Sequence, residues 1–286
     1  MKLVRVGPPG RERPGVLGAG GEVLDATSVT ADYGPEFFAS DGLSRLRERV
    51  DAVDGLPRMR TDGERVGAPV GRPYEVLCLG LNYADHAAES GMTLPEEPVV
   101  FNKLSNTIVG PFDDIVRPPH SERVDYEVEL AVVLGAPAQY LPDLEAAAAT
   151  IAGYAITNDV SERDYQLNRG GQWVKGKSCA TFNPLGPWLV TADEVPDPHA
   201  LAIELSVNGE TRQASQTAEM VFAVPYVVWY LSQFFALEPG DLINTGTPPG
   251  VGMGWEPPRY LKAGDTVEAT IEGLGTQRQR VVDLIP

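Results

Sequence analysis

One segment, residues 124–134, constrains the fold more than any other part of the chain. In a β-strand alternate side chains lie on the same face, and here every second residue from 124 onward is apolar. The other face begins with Asp125, Glu127 and Glu129 and then also becomes apolar. A strand that is apolar on both faces at one end has to be covered on both sides. The segment therefore predicts a central strand in a layered β structure, with three carboxylates at one end.

These carboxylates point to a bound cation. Like charges about 4 Å apart repel by about 4 kcal/mol at an effective dielectric of 20, so either one carboxyl is protonated or a cation lies among them. Asp159, which follows another apolar strand, is a further oxygen donor or a helix cap. Glu127, Glu129 and Asp159 together would form an all-oxygen site suited to Mg²⁺, Mn²⁺ or Ca²⁺. An exposed acidic edge is the alternative, although the apolar continuation of the strand argues against it.

Other metal sites and several classes of partner are disfavoured by composition. The chain has three His and two Cys, without an HxxxH or CxxC spacing, which argues against zinc. A formal charge of −17 repels phosphate backbones and anionic lipids, so we expect neither a nucleic acid nor a membrane as partner. The N-terminus has no apolar signal core, and we expect a cytoplasmic protein.

Residues 220–237 are apolar enough to raise the question of a membrane span. They include Pro225, Ser232 and Gln233, and the stretch is only just long enough to cross a bilayer. We interpret it as a buried, aromatic-rich helix over 224–235 with Pro225 in the first turn, where a missing N–H costs least.

The remaining pattern predicts a mainly β, α+β protein. Thirty Gly and 25 Pro imply many turns, and short strand signals follow one another closely from residue 74, with few helices between them. Residues 1–68 are predicted to form a small N-terminal α+β domain, residues 69–73 a linker, and residues 74–286 the main domain.

One motif is interpreted as a coincidence. Residues 171–178 match the phosphate-loop pattern GxxxxGK[ST] letter for letter. However, Trp173 and Val174 fill the loop, and Pro184 and Pro187 prevent the long helix that a phosphate loop opens. We therefore expect no nucleoside triphosphate binding.

Five motifs in order resemble the fumarylacetoacetate hydrolase superfamily, over about residues 74–283. The resemblance is greatest to small bacterial members of the 2,4-diketo-3-deoxy-L-fuconate hydrolase, acylpyruvate hydrolase and ureidoglycolate lyase groups. Residues 102–104 and 179–180 depart from the common family pattern. The motifs are Gly80–His86, Asp125–Leu130, Asn158–Val160, Gly176–Ser178 and Asn244–Gly252.

The resemblance implies a fold, a cofactor and a set of site residues. It implies a mixed β-roll, similar to a β-sandwich, as the catalytic domain over 74–286, with Mg²⁺ or Mn²⁺ as cofactor and a homodimer as the assembly. By position, the metal ligands would be Glu127, Glu129 and Asp159, the catalytic residues His86, Glu89 and Lys177, and the substrate-binding residues Lys103, Arg163, Gln166 and Thr247.

Among these, His86 would be interpreted from its local sequence alone as a surface histidine. Asp85 matches a ligand of the larger eukaryotic members only and is left out of the metal set. The resemblance makes His86 and Glu89 a pair on a mobile lid that positions or activates water.

The expected activity is hydrolysis of a C–C bond in a small 2,4-dioxo acid, an acylpyruvate or a 2,4-diketo-3-deoxy sugar acid, through an enolate held by the metal. Two alternatives stay open. The same site could decarboxylate or tautomerise oxaloacetate-like acids, which needs proton transfer but no water attack. The protein could also be a non-catalytic, metal-dependent binder of oxo acids.

Overall fold

The structure, a computed structural model, describes residues 1–84 and 95–284. Strands dominate it, as the sequence predicts. The strands are β1 Lys2–Val6, β2 Arg13–Leu17, β3 Val23–Asp25, β4 Val66–Gly67, β5 Val76–Gly80, β6 Val99–Lys103, β7 Ile108–Val109, β8 Ile115–Arg117, β9 Val124–Asp125, β10 Val128–Leu134, β11 Ile151–Asn158, β12 Ser161–Glu162, β13 Asn183–Pro184, β14 Leu189–Thr191, β15 Ala202–Val207, β16 Glu210–Gln216, β17 Leu242–Asn244, β18 Thr266–Ile271 and β19 Gly275–Asp283. The helices are α1 Pro35–Ala39, α2 Gly42–Asp51, α3 Leu144–Ala149, α4 Arg163–Leu167, α5 Val174–Lys177 and α6 Val224–Ser232.

Two large sheets organise the described chain. The ten-stranded sheet has the order β3-β2-β1-β14-β11-β10-β17-β5-β6, with β4 also paired to β1. The five-stranded sheet has the order β16-β15-β18-β19-β8. Most neighbours are antiparallel, but β17 and β5 run parallel, as do β19 and β8. This is the mixed, mainly β architecture that the sequence predicts.

Strand β10 lies near the middle of the large sheet and is buried on both faces. Leu130 and Val132 share a core with Leu205 of the second sheet, while Ala131 and Val133 belong to a second core that includes aromatic and aliphatic side chains of the N-terminal segment. The two-sided burial expected from the sequence is therefore confirmed.

The prediction of one continuous strand over 124–134 is wrong, because the strand is interrupted at residues 126 and 127. The N–H of Tyr126 donates to the Asp125 carboxylate at 2.9 Å, and the N–H of Glu127 donates to the Asn158 side chain at 3.0 Å. Since side chains take these two donors, the main-chain ladder stops after β9 and resumes at β10.

The N-terminal segment extends the large sheet. Strands β1, β2 and β3 continue it beyond β14, and buried side chains of α1 and α2 join the core on one face of β10. The predicted linker at 69–73 falls between β4 and β5. The division into two domains stays a prediction.

Helix α6 begins where the sequence predicts, with proline in its first turn, and it ends at Ser232, three residues early. Its nine residues are far fewer than the roughly 20 that a bilayer requires. Among the described residues, there is no helix of the length and apolarity that crossing a membrane requires.

Gly153 provides a test of the sheet packing. A Cβ at this position would lie 2.2 Å from the carbonyl oxygen of Val190 on β14, so Gly153→Ala should push β11 and β14 apart. We expect it to lower the free energy of unfolding by about 3 kcal/mol, measured by urea denaturation. Gly34→Ala is the control, because no atom lies within 4 Å of its added Cβ. Equal midpoints for the two variants would contradict this packing.

Candidate active site

A pocket opens to solvent beside the ends of β10 and β11. Strands β5 and β6, helices α4 and α5 and the turn after β17 complete its walls. Its lining residues are Leu79, Gly80, Leu81, Phe101, Glu127, Glu129, Arg163, Gln166, Leu167, Trp173, Lys177, Thr247 and Met253.

Three carboxylates converge beside this pocket, and two of them line it. Glu127, Glu129 and Asp159 each offer an oxygen within 4.8 Å of the others, and all three residues are buried. The pairing of β10 with β11 brings them together, because the N–H of Asp159 donates to the carbonyl of Glu127 at 2.8 Å. The exposed acidic edge is thereby excluded. Asp159 is also not the cap of α4, since Glu162 occupies that position.

The cluster is electrostatically crowded. Burial raises the pKa of Glu129 well above its ordinary value, and the neighbouring Asp159 and Glu127 raise it further, despite the opposing effect of Lys177 and the Gly246 N–H. A divalent cation among the three carboxylates would remove this repulsion. All the donors are oxygens, which are the ligands that Mg²⁺ and Mn²⁺ prefer. The residues present therefore fit such an ion.

Gly246 shows how closely the backbone approaches the cluster. Its N–H donates to Glu129 Oε2 at 2.8 Å, and its φ of +96° lies in the region that favours glycine. A Cβ there would lie 2.8 Å from the Cβ of Asn82. The turn after β17 can contact the carboxylate only with glycine at this position.

Lys177 lies against two of the carboxylates. Its Nζ is 2.6 Å from Glu127 Oε2 and 2.7 Å from Asp159 Oδ2. Burial opposes its charge, but Asp159 and Glu127 outweigh this effect and raise the pKa of the lysine. The preceding Gly176 permits this placement, because a Cβ there would lie 2.4 Å from backbone atoms of α4 and its cap.

Lys103 lies behind the cluster instead of in the pocket wall. Its Nζ donates to Asp159 Oδ1 and to the carbonyls of Val160 and Phe182, which uses all three ammonium protons. The residue is 1% exposed. In this structure Lys103 positions Asp159, and its expected contact with the substrate stays a prediction.

Arg163 reaches the pocket from the start of α4. Its Nε donates to Asp125 Oδ2 at 2.8 Å, and its Nη1 lies 2.7 Å from Glu127 Oε1 and 3.0 Å from Gln166 Oε1. Nη2 is buried and has no hydrogen-bond partner among the described residues. A buried guanidinium N–H without a partner is costly, so this atom is suited to an anionic group in the pocket.

The two other expected substrate-binding side chains also line the pocket. Gln166 is fixed by its bond from Arg163. The hydroxyl of Thr247 donates to the carbonyl of Val128 at 2.9 Å and accepts from Gln213 Nε2 at 2.8 Å. His86 and Glu89 lie outside the described residues.

Asp125 has a role that the sequence did not reveal. It lies apart from the three-carboxylate cluster, and its oxygens accept from Arg163 Nε and from the N–H groups of Gly252 and Met253, at 2.6–3.0 Å. A Cβ on Gly252 would lie 2.6 Å from Asp125 Oδ1. Asp125 thus joins Arg163 to the loop that carries Met253. In the sequence, the glycine-rich stretch around residue 252 was the signal of a close backbone contact. It did not indicate that Asp125 would be the partner.

Comparison with known proteins places the chain in a family. The family model described as "Fumarylacetoacetate (FAA) hydrolase C-terminal" matches residues 75–282. The chain belongs to the fumarylacetoacetate hydrolase family. The resemblance found in the sequence motifs is thereby confirmed, and the protein is an enzyme of this family.

Relatives of this fumarylacetoacetate hydrolase family member match it over almost its whole length. A Burkholderia multivorans protein named "Putative hydrolase" is 52% identical over 98% of both chains. Among solved structures, fumarylacetoacetate hydrolase from Exiguobacterium antarcticum is 39% identical, with a TM-score of 0.86 over 99% of this chain and 100% of that one.

Two further structures differ in the activity that they are named for. The 2-hydroxyhepta-2,4-diene-1,7-dioate isomerase from Mycobacterium marinum is 32% identical, with a TM-score of 0.77 over 99% of this chain and 98% of that one. Maleylpyruvate hydrolase from Sphingobium sp. SYK-6, in complex with manganese(II) ion and pyruvate, is 28% identical, with a TM-score of 0.81 over 99% of both chains. The family resemblance therefore includes both hydrolases and isomerases.

The role of Asp125 in this family member can be tested through stability. Asp125→Ala would remove one partner of the buried Arg163 and leave the N–H groups of Gly252 and Met253 without their acceptor. We expect the free energy of unfolding to fall by about 3–5 kcal/mol, measured by urea denaturation. Asp164→Ala is the control, since the contacts that it removes, with Arg169 and Asn168, are solvent-exposed. A variant Asp125→Ala as stable as this control would contradict the assigned role.

Proposed function

We propose that this chain is a Mg²⁺- or Mn²⁺-dependent hydrolase that cleaves a C–C bond of a 2,4-dioxo acid. The substrate would be an acylpyruvate or a 2,4-diketo-3-deoxy sugar acid. The observation that carries the proposal is the convergence of Glu127, Glu129 and Asp159, the first two of which line one pocket together with Arg163 and Lys177. The similarity to a maleylpyruvate hydrolase in complex with manganese(II) ion and pyruvate supports both the cation and the class of product.

The proposed reaction consumes one water molecule. The oxygen of water adds to C4 of the dioxo acid, the C3–C4 bond breaks, and its electron pair stays on C3. A proton then joins C3, which yields a 2-oxo acid and a carboxylic acid. When bound by the three carboxylates, the cation would supply a Lewis acid for the substrate oxygens.

The described side chains have separate roles in this proposal. Arg163 Nη2, which lacks a partner among the described residues, would bind the substrate carboxylate. Lys177, held as a cation against Glu127 and Asp159, would stabilise the negative charge that develops at C3. Gln166 and its bond to Arg163 keep the guanidinium in place.

His86 and Glu89 belong to the proposal through the family resemblance alone, as the pair that activates water. The homodimer and the cytoplasmic location also stay predictions from the sequence.

A keto–enol tautomerase or decarboxylase is a second candidate. The similarity to the Mycobacterium marinum isomerase favours it, because such reactions need proton transfer at a carbon next to a carbonyl but no attack by water. The carboxylates, Arg163 and Lys177 could take part in either reaction.

Cation binding can be measured without turnover. Protein treated with EDTA and then titrated with Mn²⁺ should gain about 2.7 kcal/mol of stability when the cation is at 100 times its dissociation constant. That corresponds to a rise in Tm of about 5 °C in a thermal-shift assay. Glu129→Gln should abolish the rise, while Glu122→Gln, which changes an exposed carboxylate, should preserve it. A rise that persists in Glu129→Gln would place the cation elsewhere.

The reaction itself can be assigned by isotope labelling. With acetylpyruvate, Mn²⁺ and H₂¹⁸O, we expect equimolar pyruvate and acetate, with one ¹⁸O in the acetate carboxylate by mass spectrometry. Asp159→Asn should lower kcat at least about 1,000-fold, because it removes a cation ligand and a partner of Lys177. Release of CO₂, or interconversion of tautomers without cleavage, would favour the second candidate. Saturable binding without product would identify a binding protein.

A further inference from the structure

The part of the pocket lining that lies away from the charged residues is mainly apolar. Leu81, Phe101, Trp173 and Met253 all line it, and each is partly exposed. Trp173 lies in the segment that imitates a phosphate loop. In this structure, that segment supplies both an apolar wall residue and Lys177.

The aromatic part of this wall is fixed by packing. The rings of Phe101 and Trp173 meet edge to face, with centroids 5.3 Å apart. Gly80 makes room for the indole, since a Cβ there would lie 2.8 Å from Trp173 Cζ3. The Nζ of Lys177 lies 4.9 Å from the centre of the Phe101 ring. The apolar wall therefore begins directly beside the charged half of the pocket.

Leu81 is held in a strained conformation at the same wall. Its φ of +57° lies in the left-handed region, which glycine and asparagine adopt far more readily than leucine. The neighbouring Asn82 anchors the turn, because its side chain donates to the carbonyls of Thr245 and Phe222 and accepts from the Phe222 N–H. Strain that persists at a pocket is a marker of function. At this position, glycine or asparagine would adopt the observed backbone conformation with less strain than leucine.

Met253 lines the same pocket from the loop after β17. Its N–H donates to Asp125 Oδ2 at 3.0 Å, so the carboxylate that accepts from Arg163 Nε also holds the backbone of Met253. Asp125 thus links the Arg163 guanidinium to the loop that carries this apolar residue.

We propose that this wall selects the acyl group, so that acylpyruvates with aliphatic acyl chains are preferred over hydroxylated 2,4-diketo sugar acids. The inference rests on the proposed function and names its substrate class. A hydroxyl packed against the side chains of Leu81, Phe101 or Met253 would lose its hydrogen bonds to water without replacement, whereas each methylene would gain from burial. Among the described polar side chains, Lys177, Gln166 and Thr247 already have protein partners.

The test compares acetyl-, propionyl- and butyrylpyruvate with a 2,4-diketo-3-deoxy sugar acid, all with Mn²⁺. We expect kcat/KM to rise about fourfold with each methylene and to be at least about tenfold lower for the sugar acid than for butyrylpyruvate. Equal values along the series, or a preference for the sugar acid, would overturn the proposal.

Binding separates this inference from the proposed function. Calorimetry of the same acids with an Asp159→Asn variant, or with the enzyme if no product forms, should show the same order of affinity. If affinity rises with acyl length but none of the acids is cleaved, the selectivity stands and the hydrolase assignment fails. If cleavage occurs and neither affinity nor kcat/KM depends on acyl length, the hydrolase stands and the selectivity fails.

Two variants test whether the apolar wall causes the selectivity for the acyl group. Met253→Gln keeps the length of the side chain but adds an amide, and we expect it to lower the ratio of kcat/KM for butyryl- over acetylpyruvate about tenfold. Leu81→Asn should lower the same ratio without lowering Tm, because asparagine tolerates a φ of +57°. Leu144→Gln, at an exposed leucine outside the pocket, is the control and should leave the ratio unchanged. An unchanged ratio in both wall variants would refute the assignment.

Discussion

The repulsion among three buried carboxylates is the constraint on which the site depends. Glu127, Glu129 and Asp159 have little access to water, and unpaired charges in such surroundings cost several kcal/mol each. Lys177 and Lys103 offset part of this cost through direct contact with the cluster. Burial raises the pKa of Glu129, and the neighbouring Asp159 and Glu127 raise it further. The same crowding suits the cluster to a divalent cation.

The fold maintains this arrangement by burying strand β10 from both sides. One face packs toward the second sheet and the other toward the N-terminal segment, so the strand cannot turn its carboxylates toward bulk water. Glycines bring other backbone segments into contact with the cluster and its neighbours. Gly246 lets an N–H reach Glu129, and Gly176 lets α5 approach α4 so that Lys177 meets the carboxylates. The N-terminal strands and helices thus contribute to the site without supplying a residue to it.

The pocket unites two chemically distinct halves. Under the proposed function, its charged part would bind the carboxylate and stabilise the developing enolate of a dioxo acid, and its apolar part, with Leu81 and Trp173, would contact an aliphatic group attached to that core. The buried Asp125 connects the halves, because it binds both Arg163 and the loop of Met253.

The sequence by itself determined the central strand and its polar end with Glu127 and Glu129, because alternation along a strand fixes which side chains share a face. Motif order then identified the family and placed Lys177, Arg163, Gln166 and Thr247, all of which line the pocket. Only the tertiary structure showed that Lys103 faces Asp159 and that Asp125 binds Gly252 and Met253. It also showed that the sequence segment resembling a phosphate loop places Trp173 in the wall. These contacts join residues far apart in the chain, and their partners depend on how loops and helices approach one another, which no local periodicity encodes.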